Sequence, residues 1–144
     1  MKTIALAFAL LAPIAAQAGD VWLNINAVSH HFNTEHKFNQ NNVGVGVEYQ
    51  HGDYLAMAGR YNNSMGYPSR YALAGWLPLQ YGPVRLGALA GALDGYPAIN
   101  GGKVGPAAAL LAQIAGDRVG VNLMLLPPFK GAPLTAGLQF RIKF

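Results

Sequence analysis

The sequence predicts an all-β fold, an eight-stranded antiparallel transmembrane β-barrel that follows a cleaved signal peptide. Three observations carry this reading. The chain is 52% apolar but only 11% charged, where an ordinary soluble domain is about a quarter charged. Its eighteen glycines and nine prolines speak against long helices. Apolar residues recur at every second position in segments of about ten residues, the length of a tilted membrane-crossing strand.

The same numbers exclude other classes. A length of 144 residues holds one ordinary domain. High apolar content with a net charge of +4 excludes a disordered chain. With no cysteine there is neither a disulfide framework nor a thiolate metal site. The basic residues stand singly, so no stripe for nucleic acid forms.

The N-terminus is a targeting segment. Lys2 gives a positive start, residues 4–16 are almost wholly apolar, and Ala16-Gln17-Ala18 is a cleavage site of the A-x-A kind. The run is too short for a spanning helix. Residues 1–18 are therefore expected to be a secretory signal peptide, and residues 19–144 the barrel.

Strict alternation marks each strand in turn. Val21, Leu23, Ile25 and Ala27 alternate with Trp22, Asn24 and Asn26. Val43, Val45, Val47 and Tyr49 alternate with Gly44, Gly46, Glu48 and Gln50. Leu55, Met57, Gly59 and Tyr61 alternate with Ala56, Ala58 and Arg60, and Tyr71, Leu73 and Gly75 with Ala72, Ala74 and Trp76. Residues 84–92 and 105–114 are weaker; the second is rich in alanine and leucine but opens on Gly105-Pro106 among strand neighbours. Val119 to Leu125 and Leu134 to Phe144 complete the eight.

The connections alternate in length. Residues 50–53, 77–83 and 115–117 are short, whereas 29–42, 62–69, 93–104 and 127–133 are longer and more polar. Short turns on one side and long loops on the other describe an outer-membrane barrel, closed because lipid cannot satisfy a free strand edge. A terminal Phe144 in step with Phe140 agrees with that location. A soluble lipocalin-like barrel would show the same alternation with its apolar face inward.

Parity assigns the charges. Arg60, Arg85, Arg118, Arg141 and Lys143 fall on the expected inner face with Glu48, Asn122 and Gln139, so internal ion pairs are expected. Small residues of the same parity, among them Gly44, Gly46, Ala56, Ala58, Gly120 and Gly137, would leave a slot wide enough for an acyl chain.

Candidates for chemistry lie in the long loops. His30, His31 and His36 share the first, but their spacing matches no metal-ligand motif, and no metal is expected. Ser64 lies past a strand end on the same side as His31, where a base and a hydroxyl could pair. Strand parity points His30 inward unless a bulge near the strand end turns His31 in instead.

At this point the chain resembles the lipid A palmitoyltransferases. The resemblance is carried by Ser29-His30-His31-Phe32 followed by Phe38-Asn39-Gln40 and Val43-Gly44-Val45-Gly46, by residues 54–58 followed by Asn63-Ser64, by Gly75-Trp76 eleven residues after Ser64, and by residues 119–126 followed by Pro127. Asn63 stands where that family has an aspartate, and only Gly19 and Asp20 precede the first strand where the family has an amphipathic helix. The resemblance implies a monomeric outer-membrane enzyme that needs no cofactor. It implies transfer of a palmitoyl-like chain from a phospholipid to lipid A of lipopolysaccharide. His31 would be the base, with Ser64 assisting and Asn63 orienting. Gly75 would limit acyl length, Arg60 would contact phosphate or pair internally, and Pro127 would mark a lateral opening. The alternatives are a lipid A deacylase and a non-enzymatic structural or binding barrel.

Overall fold

The computed structural model describes residues 19–144, and the expected signal peptide lies outside the described residues. Eight strands form one closed barrel in chain order. They are β1 (Asp20–His31), β2 (Asn41–His51), β3 (Tyr54–Asn62), β4 (Pro68–Tyr81), β5 (Val84–Leu93), β6 (Gly105–Ala115), β7 (Val119–Leu126) and β8 (Thr135–Lys143). Each runs antiparallel to the next, and β8 closes on β1. A single helical turn, α1 (Pro97–Asn100), lies in the loop between β5 and β6.

Two of the short connections are tighter than the alternation predicts. Gly52-Asp53 and Gly82-Pro83 are two-residue turns, each with its glycine at φ +58°, a conformation that favours glycine. The break expected over residues 77–83 shrinks because β4 continues to Tyr81. Pro78 fits there because the register shifts between Trp76 and Leu79, where no ladder hydrogen bond is needed from it. The alanine-rich segment is a strand, β6, as its neighbours require.

The barrel is inside out relative to a soluble one. Asn24, Glu48, Gln113, Asn122, Gln139 and Arg141 are buried, while Val43, Val119, Leu110, Phe140 and Ile142 are exposed. That distribution fits lipid outside and excludes the lipocalin-like arrangement. Tyr54, Trp76, Tyr81 and Phe144 are exposed at the short-turn end, where an aromatic girdle meets the membrane interface.

The interior divides into two sectors. Strands β7, β8, β1 and β2, joined by Gln113 of β6, enclose a polar network around Glu48. Its carboxylate accepts from Arg141 at 2.6 Å, Gln113 at 2.9 Å, and Asn24 and Asn122 at 3.1 Å. Arg141 also lies over the Trp22 ring, 4.0 Å from its centroid. Strands β3 to β6 instead point Leu55, Met57, Tyr71, Leu77, Leu89, Ala109 and Leu111 inward as one apolar cluster.

In β3 this reverses the expected parity. Leu55 and Met57 face in, so Ala56, Ala58 and Arg60 face out. Arg60 therefore makes no internal ion pair, and those two alanines widen no slot. Arg118 is likewise not an inner-face residue. It sits exposed in the turn before β7, where its carbonyl accepts from the Lys143 amide. The expected internal pair is Glu48 with Arg141, both fully buried.

Candidate functional site

The site forms where β1 leaves the barrel. The register of β1 against both neighbours shifts between Asn26 and Val28. This bulge inverts the alternation, turning Ser29 and His31 inward and leaving His30 exposed. His31 stacks on Phe38 with ring centroids 4.5 Å apart. Its Nε2 lies 2.9 Å from Ser64 Oγ, so the structure brings this predicted pair together.

Asn63 has a different task from the one its neighbour suggests. It is fully buried, and its Oδ1 accepts from the amides of Met65 at 2.9 Å and Tyr67 at 3.0 Å. Its Nδ2 donates to the Gly95 carbonyl at 2.5 Å and to Ser69 Oγ at 3.2 Å. The two accepted bonds shape the loop over residues 63–67, and the two donated ones tie it to Gly95 and to β4. Asn63 thus holds in place the loop that carries Ser64. Among the described residues the buried Nδ1 of His31 has no hydrogen-bond partner, so none of their carboxylates supports the ring.

Two residues that the pattern did not mark complete the arrangement. The Asn39 amide donates to the Ser64 carbonyl at 2.7 Å, and its side chain donates to the Asn63 carbonyl at 2.9 Å, tying the first two long loops together. Tyr96, just before α1, hydrogen-bonds Ser64 and places its hydroxyl 2.8 Å from that of Tyr61. Burial pushes the Tyr96 hydroxyl up from its ordinary range against the pull of those hydrogen bonds, so it stays a neutral donor. No local signal announces either residue, because the partners come from distant loops.

Below this cluster lies an apolar slot. Ser64 and Tyr96 stand at its mouth, and Met57, Tyr61, Tyr71, Leu73, Leu93, Met124 and Leu126 line it. Gly75 does not line it. A Cβ there would meet Leu89 Cδ2 at 2.7 Å and Leu55 Cγ at 2.9 Å, so Gly75 belongs to the packed layer beneath. Arg60 lies outside the barrel wall, away from the slot.

The wall has a gap at this level. β6 pairs with β5 from Gly105 onward, but its pairing with β7 begins only at Leu110 opposite Leu125. β7 stops at Leu126 because Pro127 and Pro128 have no amide hydrogen to continue the ladder. Ala107, Ala108 and Ala109, on the unpaired edge of β6, all line the slot. Ala108 is also exposed on the outer face, so at this gap only the backbone and small side chains of β6 separate the slot from the outside.

No described protein family matches the sequence, and no curated protein does. Two solved structures share the architecture. A de novo designed transmembrane barrel, TMB2.3, is 22% identical with a TM-score of 0.56, over 88% of this chain and 98% of its own. The outer membrane protein Ail of Yersinia pestis is 15% identical with a TM-score of 0.52, over 88% of this chain and 99% of its own. These likenesses establish the fold, that of a small outer-membrane β-barrel.

Proposed function

We propose that the protein is an outer-membrane acyltransferase that moves a fatty acyl chain from a phospholipid to lipid A. One observation carries this: a histidine–serine pair whose Ser64 lines an apolar slot, beside a stretch of wall where β6 and β7 are not yet paired. An acyl chain of the donor would enter by the gap beside Pro127. His31 would take a proton from the acceptor hydroxyl, whose oxygen attacks the donor ester carbonyl. The new ester forms as the old one breaks, and the lysophospholipid oxygen recovers the proton from His31. Ser64 would hold the imidazole by its 2.9 Å contact. The neutral Tyr96 hydroxyl is available to steady charge on the carbonyl oxygen.

Mass spectrometry of lipid A from cells expressing the protein tests this. One added acyl group, absent with Ser64→Ala or His31→Ala, is the expected result. A loss of one acyl group would assign a deacylase instead. The Nδ1 of His31, unpartnered among the described residues, favours a second reading, a non-enzymatic barrel, because no carboxylate among them stands behind the ring to support an imidazolium. Unchanged lipid A with a folded barrel in the outer membrane would select it.

A further inference from the structure

Arg60 and Arg70 stand directly opposite each other across β3 and β4, both on the outer face of the barrel. Like charges in directly opposed positions repel. A guanidinium on the lipid side is costly except near the interface. Asp94 compensates one of them, accepting from Arg70 Nε at 2.8 Å and Nη2 at 2.6 Å. This bridge fixes the Arg70 fork without covering it, since the side chain remains 81% exposed. Arg60 has no carboxylate partner among the described residues. The cluster therefore keeps one uncompensated positive charge.

Its depth says what kind of anion would meet it. Both arginines lie two residues from the long-loop ends of their strands, at the level of lipid headgroups. The next outward pair toward the membrane interior is Ala58 opposite Ala72. Side chains that short leave a smooth wall beneath the charges, where acyl chains can lie. The loop carrying Ser64 joins these two strands, so a phosphate between the arginines would sit at its foot.

We infer that Arg60 and Arg70 form a docking site for the phosphate of lipid A, with its acyl chains against the alanine wall. The choice of lipid A among phosphate-bearing lipids rests on the acyltransferase reading. Charge-assisted, forked contacts to phosphate suit arginine.

The test uses the full mature barrel carrying Ser64→Ala, which binds without turnover. Native mass spectrometry in detergent compares retention of bis-phosphorylated lipid A, dephosphorylated lipid A and phosphatidylglycerol. The bis-phosphorylated form is expected to be held roughly ten-fold more tightly than the dephosphorylated one, as for one charge-assisted contact. Phosphatidylglycerol should not displace it. Adding Arg60→Ala and Arg70→Ala should erase the preference, and Arg60→Lys with Arg70→Lys, which keeps the charge, should restore part of it. Equal retention of the two lipid A forms, displacement by phosphatidylglycerol, or an unchanged preference in the alanine variant overturns the inference. If the wild-type enzyme adds no acyl group while arginine-dependent retention persists, the docking site stands and the acyltransferase reading falls. The reverse pattern removes the docking site alone.

Discussion

The two sectors of the barrel solve the same problem with opposite materials. Strands β7, β8, β1 and β2 present bulky apolar side chains to lipid and bury a hydrogen-bonded polar network. Strands β3 to β6 present mostly alanines outward over much of their length and bury the large apolar residues. The polar sector gains from pairing, which is directional and fails when one partner goes. The apolar sector gains from volume, which tolerates loss in smaller steps. The slot lies between the sectors, with Met57, Tyr61, Tyr71, Leu73 and Leu93 from the apolar one facing Asn26, Asn42, Thr135 and Gln139 from the polar one.

Removing Glu48 should break the comparison hardest. Glu48→Ala leaves the buried Arg141 without a counter-ion and should cost about 3–5 kcal/mol, measured by urea unfolding in lipid vesicles. Replacing Glu48 and Arg141 together by methionine should cost less than either single change, because no charge is then stranded. Leu89→Ala, in the other sector, should cost about 3 kcal/mol as a cavity. It also opens space beside Gly75. If the slot takes an acyl chain, the same variant should shift lipid A products toward longer chains.

Asn63→Asp should cost about 2 kcal/mol, because a carboxylate oxygen would replace the donor now facing the Gly95 carbonyl. If the protein is the proposed acyltransferase, the aspartate should therefore lower the yield of acylated lipid A, read by mass spectrometry. The smallest effect concerns pH. The Arg70 backbone amide, then its side chain, hold the Asp94 carboxyl below its ordinary value. A depressed folded value means this contribution is complete above the unfolded value of about 3.9. It fades as pH falls through the folded one. Asp94→Asn should therefore lower stability slightly at neutral pH and flatten that acid limb of the unfolding profile, the two proteins converging at low pH.

The sectors also explain what could be read from the sequence. Where one face is polar and the other apolar, as in Val43 to Gln50 and Val119 to Leu125, alternation gives both strand and orientation. In β3 both faces are apolar apart from Arg60, and size decides which turns inward. Leu55 and Met57 fill the core better than Ala56 and Ala58, so the arginine is carried outward with the small residues. That His31 and Ser64 could meet was legible from their place at one rim of the barrel, and the bulge after Asn26 is what turns His31 inward. Tyr96 and Asn39 were not legible, because their roles depend on which loops meet. Gly75 does not itself reach the slot, because Leu55 and Leu89 occupy the volume beside it.

The Glu48 carboxylate draws its partners from β1, β6, β7 and β8. These strands surround it only once β8 has joined β1, a pairing between the first and last strands of the barrel. A sheet that has entered the membrane but not yet closed would hold that charge without its full set of donors. Open assembly intermediates are then raised in energy relative to the finished ring. Glu48 thus acts as a checkpoint on insertion, favouring a single cooperative closing step over a gradual accumulation of strands.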